Sequence, residues 1–116
     1  MYSKTILIGR LTADPERKTT PQGTSLCSFR IAVDRPYKDA DGNHKVDFIN
    51  CVAWRNNGDF VARNFVRGKA IGVDGAIETR DYTDKDGIKR SSFEINVEHA
   101  FFVGDNKKSD SQGSGE

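Results

Sequence analysis

The stretch Val46-Asp47-Phe48-Ile49-Asn50-Cys51-Val52-Ala53-Trp54-Arg55 constrains this chain more than any other. Side chains alternate across a strand, so Phe48, Asn50, Val52 and Trp54 point one way and Ile49, Cys51 and Ala53 the other. The second set is small and apolar and suits a packed interior. The first carries two flat aromatics with an amide between them, and Arg55 follows at the end. A face of this kind is either the more polar side of a sandwich or a platform on which flat ligands stack.

With 116 residues the chain is long enough for one domain with a single modest core. It has no run of about 18 apolar residues of the kind that spans a membrane. Its first residues lack the apolar stretch of a signal peptide. Cys27 and Cys51 each lie inside an apolar, strand-like run, so they read as reduced core residues of a cytosolic protein, not as a disulfide framework. The net charge of +1 is neutral evidence about an anionic partner. Any such partner must be recognised by where the cations sit.

Taken in order, residues 4–12 are β-branched and apolar with Gly9 in the middle, a strand that bends or approaches another backbone closely. Asp14-Pro15 and Thr20-Pro21-Gln22-Gly23 are turn chemistry. Residues 25–33 alternate cleanly, with Cys27, Phe29, Ile31 and Val33 on one face and Leu26, Ser28, Arg30 and Ala32 on the other. Residues 34–45 are polar and contain Asp41-Gly42, so they form a hairpin arm or a loop, with Tyr37 set among Arg35 and Lys38.

Residues 56–67 are the helical candidate. Asn56 or Asn57 is placed to cap it, Asp59 lies in its first turn, Val61/Phe65 and Ala62/Val66 make a stripe, and Arg67-Gly68 closes it. Asn56-Asn57-Gly58 is poor helix sequence and predicts a late or frayed start. Residues 70–82 alternate again, with Ile71, Val73, Gly75, Ile77 and Thr79 on one face. Asp84 to Gly87 turn the chain, and residues 91–103 return with Phe93, Ile95, Val97 and Phe101 on one side. Residues 104–116 hold no apolar side chain and read as a disordered polar tail following a domain of residues 1–103.

The order is all-β with one short helix between the third and fourth strands. It predicts an OB-fold, a five-stranded Greek-key barrel whose second and third strands form a ligand face. An SH3-like barrel or a plain sandwich also accommodates it. Enzyme chemistry finds no support. His44 and His99 show no metal-ligand spacing with the cysteines, and no phosphate loop or nucleophile elbow is present. Placing Gly87 or Gly42 at the invariant glycine of a calcium loop puts Tyr82 and Phe93, or Tyr37 and Phe48, at ligand positions, so both acidic segments are turns. No metal or cofactor is expected. What remains is Tyr37, Phe48, Trp54 and Tyr82 interleaved with Arg35, Lys38, Arg55, Arg67, Lys69 and Arg80, the composition of a stacking and phosphate-neutralising groove. Ordinary core aromatics fit the pattern equally well.

The chain resembles the bacterial single-stranded DNA-binding protein family. The matching residues are Ile8-Gly9-Arg10-Leu11-Thr12, Asp14-Pro15-Glu16, Thr20-Pro21 with Gly23, Ala32-Val33 and Arg35-Pro36-Tyr37-Lys38. They continue with Asp47-Phe48-Ile49-Asn50-Cys51-Val52, Trp54-Arg55, Gly68, Val73-Asp74-Gly75 and Thr79-Arg80 with Tyr82. Each is weak alone, but they run in family order over residues 1–103. The resemblance implies an OB-fold that assembles as a homotetramer and wraps single-stranded DNA without sequence preference, in replication, recombination and repair. Tyr37, Phe48, Trp54 and Tyr82 fall at its base-stacking places. Arg10, Arg35, Lys38, Asn50, Arg55, Arg67, Lys69 and Arg80 are the polar and backbone contacts expected beside them. Single-stranded RNA binding, or a protein-interaction subunit without a nucleic-acid ligand, are the rival readings.

Family members commonly end in a long linker and an acidic Pro-Phe tip that recruits other replication and repair proteins. Residues 109–116 carry no such tip, so the expectation is a truncated or naturally short member without tail-mediated recruitment, chromosomal or phage-encoded. Its expected location is the bacterial cytosol.

Overall fold

The computed structural model describes residues 1–104; the expected tail lies, apart from Gly104, outside them. The elements are β1 (Thr5–Leu11), β2 (Glu16–Thr19), β3 (Ser25–Lys38), β4 (His44–Trp54), α1 (Asn56–Asn64), β5 (Ala70–Thr83) and β6 (Lys89–Phe102). The sheet runs β1-β5-β6-β4-β3-β2, and β1 also pairs with β3 through Arg10↔Ala32 and Leu11↔Ile31. That extra pairing closes β1, β3, β4, β6 and β5 into a five-stranded barrel, with β4 and β6 parallel and α1 following β4. The barrel is the predicted OB-fold.

Alternation put the core where it is. Cys27, Phe29 and Ile31 from β3, Cys51 and Ala53 from β4, Ile71 and Val73 from β5 and Ile95 and Val97 from β6 are all buried together. Glycine permits the tightest crossings. A Cβ on Gly9 would stand 2.5 Å from the carbonyl oxygen of Ala32, so only a bare backbone lets β1 bend across β3.

Four features depart from the sequence reading. First, β2 is a strand where turn chemistry flanked an unassigned segment. Its four residues are all exposed and pair with β3 through backbone alone, from Glu16↔Ser28 to Thr19↔Ser25. No apolar alternation marked it.

Second, the hairpin arm expected over residues 34–45 is formed, and what departs is a second such arm at the β5–β6 end that carries apolar side chains out of the core. β3 runs to Lys38 and β4 starts at His44, joined by a turn in which Asp39 Oδ1 accepts from the N–H groups of Asp41 and Asn43. The β5–β6 arm turns the same way on Asp84 Oδ1, which accepts from Asp86 and Ile88. Ile77 and Phe93, expected on the core side, lie out on this arm and remain half exposed.

Third, β6 carries a bulge. Asp74 pairs with His99 but Gly75 with Val97, so Glu98 is an extra residue. A one-residue slip flips every later side chain. Phe101, expected to face inward with Val97, therefore points outward at 38% exposure, while Phe102 joins Phe60 and Phe65 in an aromatic cluster.

Fourth, α1 begins on time and ends early. Its N-cap is Arg55 at φ 55°, with no side-chain cap from Asn56 or Asn57. Gly58 explains the poor helix sequence: a Cβ there would meet the Ala53 carbonyl oxygen at 2.6 Å and the Cys27 nitrogen at 3.0 Å. Asn57 donates instead to the Glu98 carbonyl at 3.0 Å, tying the helix to the bulge. The chain leaves the helix at Phe65, which is extended. Val66 is consequently exposed, and Gly68 serves the next turn by donating to the Leu11 carbonyl.

Both cysteines are free and buried. Burial pushes the Cys51 thiol up to about 12 and raises Cys27 as well. Since the thiolate is the reactive form, iodoacetamide at pH 8 will leave the native protein unmodified and label both cysteines in denaturant, as intact mass will read.

Candidate nucleic-acid interface

The outward parity of β4 holds as expected: Phe48 is 53% and Trp54 38% exposed, while Cys51 and Ala53 are sealed inside. Residues opposite each other on paired strands share a face, so the register lays out the surface in rows. Phe48 lies beside Ala32, and Ala32 beside Arg10. Asn50 lies beside Arg30, Val52 beside Ser28, and Trp54 beside Leu26, with Lys18 of β2 next to it. Phe48 and Trp54 are six residues apart, so two aromatic stations stand about 20 Å from one another along the strand.

Tyr37 stands exposed on the β3–β4 arm, and Arg35 fixes it there. The Arg35 guanidinium donates from Nε and Nη2 to the two Asp47 carboxylate oxygens, both at 3.0 Å, and from Nη1 to the Tyr37 hydroxyl at 3.2 Å. Hydrogen bonding from Arg35 holds the Asp47 carboxyl below its ordinary range, and the same bond raises Arg35. Arg35 thus spends its fork orienting a ring. Tyr82 lies on the β5–β6 arm opposite Arg90, where an open cleft of about 520 Å³ runs between Asp81 and Ser91.

The expected cations divide by what they already touch. Arg80 pairs with Glu94 at 3.3 Å. Lys69 donates to the Asn64 carbonyl at 3.0 Å and covers the Phe65 and Phe102 rings, which places it with the aromatic cluster under the helix. Arg10 donates to the Gly68 carbonyl at 3.0 Å while remaining in the Phe48 row. Lys38, Arg55 and Arg67 are exposed and none of them is in an ion pair with another described residue; Asn50 is exposed between the two stations. Arg55 sits at φ 55° and ψ −123°, a sparsely populated positive-φ conformation that costs a non-glycine residue of order 1–3 kcal/mol and clusters at functional sites.

Sequence reading missed two things. Arg30 is the first: its guanidinium lies 4.6 Å over the Phe48 ring. Its outward parity was visible, but its diagonal contact with Phe48 needed the strand register. The second is the company of His99, whose Nδ1 meets Asp74 at 2.8 Å, with Glu98 close by. These three could hold a metal ion, but the Lys4 ammonium already lies 2.7 Å from Glu98 and 3.4 Å from Asp74. Only the bulge, invisible in the sequence, brings them together.

The family model for the single-strand binding protein family matches residues 2–103. The chain is 40% identical over 113 residues to the single-stranded DNA-binding protein of Halalkalibacterium halodurans, covering 97% of this chain and 67% of that one. It is 44% identical over 87 residues to the protein of the same description from Oceanobacillus iheyensis, covering 75% and 54%. It is 37% identical over 115 residues to single-stranded DNA-binding protein A of Bacillus subtilis, covering 99% and 66%. The chain thus spans about half to two thirds of the length of the curated relatives it matches.

Proposed function

The chain belongs to the single-strand binding protein family, and from that premise we propose that it binds and wraps single-stranded DNA without sequence preference, as a non-enzymatic coat in replication, recombination and repair. The observation that carries the reading is the exposure of Phe48 and Trp54 on the outer face of a barrel whose core is complete without them. Every base has a π-face, so stacking on such rings contributes roughly 1–3 kcal/mol per base whatever the sequence. Tyr37, held by Arg35, and Tyr82 extend the stacking path onto the two arms. Lys38, Arg55 and Arg67, with Asn50, supply polar contacts to the backbone, and Arg10 borders the Phe48 row. Arg35, Arg80 and Lys69 contribute through the groups they already hold or by exchanging them for phosphate.

Self-assembly, as a homotetramer, has its own support. Ile6 and Ile8 are exposed on one face of β1, and Ile8 aligns with Gly72 and the outward Phe101 across β5 and β6. From Thr5 to Gly9, β1 pairs only with β5, leaving its other edge open to a second copy. The bacterial cytosol is the compartment that fits DNA coating and reduced cysteines. Among the described residues no helix is long and apolar enough to cross a membrane.

The test is a titration with oligo-dT followed by Trp54 emission. Quenching is expected, with affinity falling as salt rises by a log–log slope of about −0.7 per phosphate neutralised. An equal-length RNA competitor that displaces the DNA at equal concentration would move the assignment to RNA. Unquenched emission with no binding would leave a protein-interaction module. Light scattering on the same sample reports the number of copies.

A further inference from the structure

We infer that Arg30, on β3, is a phosphate-contacting residue set between the two aromatic stations. This rests on the single-stranded DNA reading above. Arg30 pairs in register with Asn50, two residues from Phe48 toward Trp54, so it reaches the Phe48 ring from the Trp54 side. Its guanidinium lies 4.6 Å from the ring centroid, which covers that face of Phe48 and leaves the other face, toward the arm that carries Tyr37, for a base. A guanidinium stacked this way keeps its N–H donors in the plane at its rim, where they can take a phosphate in a bidentate contact. Unlike Arg35 and Arg80, Arg30 forms no ion pair with any described residue, so its donors are not tied up by a carboxylate. An open cleft of about 460 Å³ runs past Arg30, Asn50, Ser28 and Lys18, room for a backbone to cross from the Phe48 row to the Trp54 row; Asp14, Glu16 and Glu94 also line it, so Arg30 and Lys18 are the cations that offset those carboxylates along the path.

The charge and the ring support can be separated. Arg30→Met keeps much of the side chain's length and loses the charge; Arg30→Lys keeps the charge and loses the planar stack. Oligo-dT affinity is measured for both and for the parent protein between 50 and 200 mM salt, with melting temperatures confirming the fold. Arg30→Met is expected to show a slope shallower by about 0.7, so that its affinity falls about 2.6-fold less than the parent's across this range, while Arg30→Lys keeps the parent slope. Should Arg30→Met melt early, Arg30→Gln makes the same comparison. An unchanged slope in the neutral variant, whatever its affinity, would overturn the assignment and reduce Arg30 to a prop for Phe48. A parent protein that fails to bind oligo-dT at all would instead refute the DNA reading, and this inference with it.

Discussion

Replacing Phe48 and Trp54 together by alanine will lower oligo-dT affinity by about 30-fold to 10⁴-fold, from two lost stacks of roughly 1–3 kcal/mol each. The melting temperature will move little. Both rings stand 38% or more exposed, and the buried core forms without them. Core aromatics would give the opposite pair of results, a loss of about 3–5 kcal/mol in stability for each truncation to alanine. The double variant therefore decides between the two readings that alternation left open. Titration at a fixed salt concentration and a thermal melt on the same preparations supply both numbers. The slope of affinity against salt should stay that of the parent, because no cation has been removed. A shallower slope would mean that the rings hold nearby cations in place, Arg30 over Phe48 above all.

What alternation carries, the sequence made legible. The two faces of β4, the buried parity of β3 and the helix between the third and fourth barrel strands all follow from which residues recur at spacings of two or of three and four. What alternation does not carry was hidden. β2 pairs by backbone alone, and its four exposed residues carry no apolar side chain that could announce it. The bulge at Glu98 is a slip in pairing, so it reversed the expected direction of Phe101 and assembled Asp74, Glu98 and His99 without leaving a mark in the local pattern. The candidate interface divides the same way. Its exposed rings could be read from parity. Which cation is engaged could not, because Arg35 meets Asp47 twelve residues away across a hairpin and Lys69 turns back to the carbonyl of Asn64.

Phe65→Ala will cost about 3–5 kcal/mol, the largest stability loss expected from a single truncation in this chain. Phe65 is 1% exposed and is the bulkiest of the fully buried side chains. Its ring stacks on Phe102 at 5.2 Å between centroids and meets Phe60 edge-on at 5.9 Å, joining the end of α1 to the last residue of β6. Lys69 lies over both Phe65 and Phe102. Alanine would leave a cavity that Val66, exposed to solvent just past the extended Phe65, is badly placed to fill. For a domain of this size the loss corresponds to a fall in melting temperature on the order of 20 °C. Phe65→Leu, which refills much of the volume, should recover most of it. Where the variant stays folded, oligo-dT binding measured well below its transition should match the parent, since Phe65 lies in the core and Phe48 and Trp54 on the outer face. A folded variant that had lost its DNA affinity would mean that the aromatic cluster under the helix sets the position of β4's outer rings, through the Trp54–Arg55 turn that leads into α1.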